Sequence, residues 1–229
     1  MQALVLATHF PQALTMLMLV TLASFLNGQH GIQLLFLSIA TAAGQASVGW
    51  ANDYKDAQTD KALNRMNKPS VSHSLEPANL RIPIFVALII LVPFSFLAAG
   101  LVGGLANLLA VFSAQAYNLW LSRTIWSWLP YAVSFALLTV FVAQSSPVAH
   151  WPNWQWLSIA SGVGVLAHIF NALPDLEIDK QAHLGGLVVS LGKSGALVCL
   201  VLLFAVLTFF LASDWQGLFL ALFTSAHAE

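Results

Sequence analysis

Runs of mostly apolar residues recur along the chain near 11–27, 32–51, 82–99, 102–121, 128–144, 154–173 and 194–212. Each is close to the roughly 20 residues a helix needs to cross a hydrocarbon core. An eighth run, near 215–226, is shorter. Turn-forming residues separate them: Asn27-Gly28, Gly100 to Gly104, Ser145-Ser146-Pro147 and Ser213-Asp214. Inside lipid the backbone must satisfy its own hydrogen bonds, so spans of this length are helices. The pattern predicts an all-α integral membrane protein, a bundle of about eight transmembrane helices.

Composition agrees. Of 229 residues, 59% are hydrophobic and only 7% charged, against about 25% charged in soluble domains. The net charge of −1 provides no basic surplus for a nucleic acid. Cys199 is the only cysteine, which rules out an intramolecular disulfide. The opening MQALVLATHFPQ has no basic region or cleavage site of a signal peptide and reads as the lead-in to a retained first helix. No linker interrupts the chain, so residues 1–229 are expected to form one multi-pass domain.

The eight basic residues set the topology. Lys55, Lys61, Arg65, Lys68 and Arg81 fall between spans two and three, Arg123 between four and five, and Lys180 and Lys193 between six and seven. All lie on one side, which the positive-inside rule makes cytoplasmic, and the amino terminus shares it. Trp120, Trp126 and Trp128 mark one interface, and Trp151, Trp154, Trp156 and Trp215 the other. The expected location is the cell membrane, with a bacterial source favoured by the compact length and the lack of a transit peptide.

The first polar constellation, NDYKDAQTD, closes span two. On a helix Asn52, Asp56 and Asp60 stand at i, i+4 and i+8, with Asp53 three residues before Asp56. Like charges so placed repel unless a cation compensates them. A second cluster, NALPDLEIDK, closes span six and holds Asn171, Asp175, Asp179 and Lys180. Asp175 and Asp179 share a face if that segment is helical. Acidic residues can simply end transmembrane helices. Two clusters on one side, at matching places in two four-helix halves, favour instead a pair of metal–diphosphate sites. The ligands would be Asn52, Asp53, Asp56, Asp60, Asp175 and Asp179, a donor set of oxygens that suits Mg²⁺. The matching places suggest a pseudo-repeat.

Basic groups lie nearby. Arg65 and Lys68 are candidates to hold a diphosphate, Arg as a fork and Lys as a point charge; Arg81 and Lys193 read as anchors. Tyr117 and Arg123, closing span four, can face the same end. His168, one turn before the second cluster, is an intramembrane ionisable residue with either a functional or a packing role.

Together these motifs resemble the UbiA-type intramembrane prenyltransferases. That family is marked by N-D-x-x-D-x-x-x-D after its second helix, here Asn52, Asp53, Asp56 and Asp60, and by D-x-x-x-D after its sixth, here Asp175 and Asp179. NRMNKP matches its R-x-x-K-P loop through Arg65, Lys68 and Pro69, and YNLWLSR is similar to its Y-x-x-x-x-K-R segment through Tyr117 and Arg123. Three features depart from the pattern. Ser122 stands in place of a lysine, His183-Leu184 stands where a glycine usually follows the second acidic motif, and the chain has room for eight helices where the family usually has nine.

The resemblance implies an isoprenyl diphosphate bound through two Mg²⁺ ions, with Asp53, Asp56, Asp175 and Asp179 as the catalytic carboxylates. Asn52, Arg65, Lys68, Tyr117, Arg123, Asn171 and Lys180 would bind substrate. The expected reaction is transfer of the isoprenyl chain to a small acceptor, expected to be aromatic, within the bilayer. A cyclase acting on the same diphosphate without an acceptor is the alternative enzyme, and a non-catalytic membrane scaffold the alternative class.

Overall fold

The computed structural model describes residues 2–66, 68–73 and 75–224, with side chains as far as residue 212. Among them the protein is all helical: α1 (Gln2–Leu6), α2 (Phe10–Leu26), α3 (Gly31–Ala62), α4 (Pro69–Ser72), α5 (Arg81–Ala116), α6 (Leu129–Ser145), α7 (Trp154–Ala172), α8 (Leu176–Gln181) and α9 (Leu187–Thr224). Four stretches are long and apolar enough to cross a membrane: α3, Pro77–Leu121, Trp154–Gln181 and Leu187–Ala212. α2 and α6 are shorter apolar helices of 17 residues each, about 25 Å long.

α5 accounts for two of the expected spans. Ala99 and Gly100 leave helical geometry, Gly100 with φ 61° and ψ −163°, a backbone shape that only glycine adopts freely. The helix reverses there. Asn107 Nδ2 donates to Ser95 Oγ at 2.9 Å, whereas 12 residues of straight helix would separate them by about 18 Å. The expected break over Gly100–Gly104 is thus a two-residue turn, and the second rod begins at once.

The break expected at Ser213-Asp214 is absent, since α9 continues to Thr224. Neither residue carries the steric bar of proline or the freedom of glycine, so a polar pair alone does not end a helix. The side chain of Trp215 and residues 225–226, both part of the sequence reading, lie outside the described residues.

Neighbours in sequence pack as neighbours in space: α2 on α3, α3 on α5, α5 on α6, α6 on α7 and α7 on α9. α2 also meets α6, where Asn27 Nδ2 donates to the Val142 carbonyl at 3.3 Å and Ser146 Oγ to the Asn27 carbonyl at 3.1 Å. The interior is built of small side chains such as Ala40, Ala98, Ala99, Ala106, Ala110 and Ala143 around Leu37 and Phe141. Small residues let helix backbones approach closely where no hydrophobic force drives them together. Bulky residues face outward instead, with Ile82, Leu26 and Phe209 each more than 70% exposed. That inversion suits a lipid surround and confirms a membrane protein. Trp120, Trp126, Trp151, Trp154 and Trp156 are exposed as an interface demands.

Candidate active site

α3 does not stop where its apolar run ends. It continues as helix to Ala62, so NDYKDAQTD sits on its last turns and the i, i+4, i+8 spacing holds. Asn64, just past the helix, takes φ 49°, the left-handed conformation that ends helices and that Asn tolerates. The chain then turns back. Arg65 follows, and Lys68 caps α4 with Pro69 fixing its first turn. Both cations are thereby delivered onto the face of α3 that carries the carboxylates.

Arg65 joins the two acidic motifs. Its guanidinium pairs with Asp60 Oδ1 at 3.5 Å and with Asp179 Oδ1. Asp60 is fully buried and Asp53 nearly so. Lys68 Nζ donates to Asp53 Oδ1 at 3.0 Å and to Asn52 Oδ1 at 3.2 Å. Arg123 donates to Asp56 Oδ1 at 3.4 Å and to Thr59 Oγ1 at 3.0 Å. Asn52 Nδ2 in turn reaches Asp56 Oδ2 at 3.2 Å and Asn118 Oδ1 at 3.3 Å. Three connections distant in sequence therefore meet at one end of the bundle.

The second motif is less regular than a single helix. Pro174 removes a donor, and Leu173–Asp175 form a 3-10 turn before α8 begins. Asp175 stands at the N-cap position of α8, with no side-chain capping bond, rather than on the same run of helix as Asp179. It still lies within charge–charge range of Asp179 and of Tyr117. Lys180 pairs with exposed Glu177 at 3.8 Å, a solvent-screened contact of small energy. The Asn171 side chain lies near that of Tyr131. His183 adopts φ 53° immediately after α8. A left-handed residue thus stands where the resemblance places a glycine, made by histidine at some steric cost.

Tyr117 opens a π turn, Tyr117–Leu121, that widens the end of α5, a device found often at functional positions. Its ring meets Tyr131 edge-on at 5.1 Å and His168 at 5.8 Å. His168 is buried, and its Nε2 lies 2.9 Å from Ser127 Oγ, which also accepts from the Leu187 amide at 3.1 Å. That hydroxyl accepts from Leu187 and still has a hydrogen and a second lone pair with which to meet His168 in either tautomer. The histidine is held on that side, while its Nδ1 is buried with no hydrogen-bond partner among the described residues.

Three residues went unassigned in the sequence reading. Lys55 Nζ donates to the Asn118 carbonyl and reaches Ser122 Oγ at 3.5 Å. A lysine ammonium thus arrives at the position where Ser122 replaces one, but from α3. Asn118, buried, donates to the Val48 carbonyl at 2.9 Å and so ties α5 to α3. His9 Nε2 contacts Asp53 Oδ1 at 3.0 Å. Lys55 and Asn118 were visible as polar residues inside motifs; His9, 44 residues before its partner, carried no local signal.

The donor set suits a hard divalent cation, being carboxylate and amide oxygen throughout. Two of those oxygens, Asp53 Oδ2 and Asp60 Oδ2, are buried with no hydrogen-bond partner among the described residues. Leaving them so is costly, and a cation would relieve it. Among the described residues no three ligating side chains yet converge on one point, because the basic residues stand between them. The residues fit Mg²⁺ by chemistry.

The fold and this end of it define a polytopic helical membrane protein with paired acidic motifs interleaved by cations. The chain belongs to the UbiA prenyltransferase family, whose model matches residues 12–228. Among solved structures it is similar to a UbiA homolog from Archaeoglobus fulgidus bound to GPP and Mg²⁺, with TM-score 0.78 and 19% identity over 94% of this chain and 78% of that one. A UbiA homolog from Archaeoglobus fulgidus bound to DMAPP and Mg²⁺ gives TM-score 0.75 and 19% identity, over 92% and 76%. The apo structure of a UbiA homolog from Aeropyrum pernix K1 gives 0.72 and 14%, over 90% and 79%. No curated protein matches the chain.

Proposed function

We propose that the protein transfers an isoprenyl chain from an allylic diphosphate to a small, electron-rich acceptor, with Mg²⁺ and inside the bilayer. The observation that carries this reading is Arg65, which ties Asp60 of the first acidic motif to Asp179 of the second at one end of an apolar bundle. The similar Archaeoglobus fulgidus structures hold a prenyl diphosphate and Mg²⁺ on the same fold.

Asn52, Asp53, Asp56 and Asp60 would hold metal on one side, Asp175 and Asp179 on the other. When bound, Mg²⁺ neutralises charge on the departing diphosphate. Arg65, Lys68 and Arg123 leave their carboxylates and take phosphate oxygens, the two arginines as bidentate forks. Lys55, beside Ser122, supplies a further point charge. The bond from the allylic carbon to the diphosphate oxygen breaks with its electron pair going to oxygen. The carbon then bonds to the acceptor, which gives up a proton. Tyr117 and Tyr131 present π faces near the site, suited to a developing carbocation, and the apolar walls exclude water that would quench it. The site end faces the cytoplasm in this reading, because the basic residues cluster there.

The test uses purified protein in detergent with C10, C15 and C20 prenyl diphosphates, following diphosphate release with and without Mg²⁺ and taking Asp56→Asn as the blank. Release that requires an added aromatic acceptor is expected. Release with a hydrocarbon product and no acceptor would instead mean a cyclase, and no Mg²⁺-dependent release at any chain length would sink both.

A further inference from the structure

We propose that His9, from the segment that precedes the first span, is a positioning residue for Asp53, fixing one carboxylate oxygen so that the other is offered to the metal. The inference rests on the metal–diphosphate reading above and adds a residue outside both acidic motifs.

Three atoms form a nearly equilateral triangle. His9 Nε2 lies 3.0 Å from Asp53 Oδ1 and 3.2 Å from Lys68 Nζ, and Lys68 Nζ lies 3.0 Å from the same Oδ1. One oxygen can accept from both nitrogens, one hydrogen from each. The nitrogen–nitrogen edge is then a contact between two donors and contributes little. Asp53 Oδ1 is therefore doubly held while Oδ2, itself buried, has no partner among the described residues. If Lys68 swings to a phosphate oxygen, Oδ1 loses one donor. His9 is the group that remains to keep the carboxylate from rotating. Carboxylates that ligate metals are commonly fixed by such outer hydrogen bonds.

The segment is built to deliver the ring. Ala7 is fully buried. Trp50, two residues before the first motif, donates its indole N–H to the Leu4 carbonyl at 2.9 Å. Gly49 lies under the Thr8 backbone so closely that a Cβ there would sit 2.5 Å from the Thr8 carbonyl oxygen. His9 itself takes the left-handed conformation, φ 55° and ψ 55°, uncommon outside glycine though histidine is among the residues that tolerate it. Two contacts, at Trp50 and Gly49, thus press residues 4–8 against α3 and set His9 beside Asp53.

The experiment uses the full chain in detergent. Binding of methylenediphosphonate, a non-hydrolysable diphosphate headgroup, is measured by calorimetry with Mg²⁺ present and absent, for the wild type, His9→Ala, His9→Gln and Gly49→Ala, with unliganded thermal stability as the fold control. His9→Ala is expected to weaken Mg²⁺-dependent binding about 10-fold. His9→Gln, whose amide N–H falls near the position of Nε2, should recover most of it. Gly49→Ala, which touches no ligand but displaces Thr8, should reproduce the loss. If Gly49→Ala fails to fold, the two His9 variants decide alone. Equal binding by His9→Ala and wild type would overturn the inference and leave the proposed function standing. A loss in His9→Ala not restored by Gln, or a fall in thermal stability with unchanged affinity, would also overturn it, reducing His9 to packing. Absence of Mg²⁺-dependent binding in the wild type would remove the metal–diphosphate reading itself and the inference with it.

Discussion

Arg65 and Asp179 are paired although 114 residues of chain separate them. The same guanidinium reaches Asp60, five residues before it. One side chain therefore holds the end of α3 against α8 and stands between the carboxylates that a metal–diphosphate complex would bring together.

Removing Arg65 should cost stability as well as function. Asp60 is fully buried, and Arg65→Met removes its one ion-pair partner among the described residues and leaves Lys68 as the nearby cation, a change expected to lower stability by about 1–3 kcal/mol. Pairing Arg65→Met with Asp60→Asn should restore part of that loss, because the buried charge is removed too. Thermal unfolding in detergent of the three variants measures the coupling; additive effects would mean that the pair is not energetically joined.

Asp56→Asn and Asp175→Asn should each reduce turnover by about 100-fold or more while the protein still inserts and folds. Asp56 keeps partial solvent access beside Arg123 and Asn52, so its amide is structurally tolerable. Diphosphate release in matched, folded samples decides it. Turnover near the wild-type rate in either variant would remove that carboxylate from the metal set.

Lys55 reaches Ser122 from across the helix interface. Lys55→Met should raise KM for the prenyl diphosphate about 10-fold, one charge-assisted contact being worth roughly 1.5–3 kcal/mol in full and less at a part-exposed site. Adding Ser122→Lys to that variant should lower KM again, since it restores an ammonium in the same place. Ser122→Lys alone crowds two cations and should bring no gain. Steady-state kinetics of the four forms gives the cycle.

Ser127→Ala should destabilise the fold by roughly 1–3 kcal/mol, because it strips a partner from the buried His168 Nε2 and from the part-buried Leu187 amide. His168→Phe in the same background should cost little more, the two residues forming one unit. Unfolding midpoints test this; fully additive losses would argue that His168 has another partner.

Seven of the expected spans correspond to helical rods, since periodic apolar runs of membrane length leave the backbone no other way to satisfy itself. The acidic motifs were legible for a similar reason: on a helix, spacing alone puts Asn52, Asp56 and Asp60 on one face. The turn at Ala99–Gly100 was legible as a break but not in its abruptness. The expected turn at Ser213-Asp214 failed because polar residues at a membrane boundary look like a loop and behave as helix.

The sequence by itself determined which segments lie in lipid, which end carries charge and which oxygens are candidate ligands, because each follows from short-range pattern and the cost of polar backbone in hydrocarbon. Only the tertiary structure decided the partners. His9 on Asp53, Arg65 between Asp60 and Asp179, and Lys55 beside Ser122 each join residues brought close by helix packing. An ion pair depends on where two chains of atoms end in space, and small-residue packing between α3, α5 and the connections around them sets that distance.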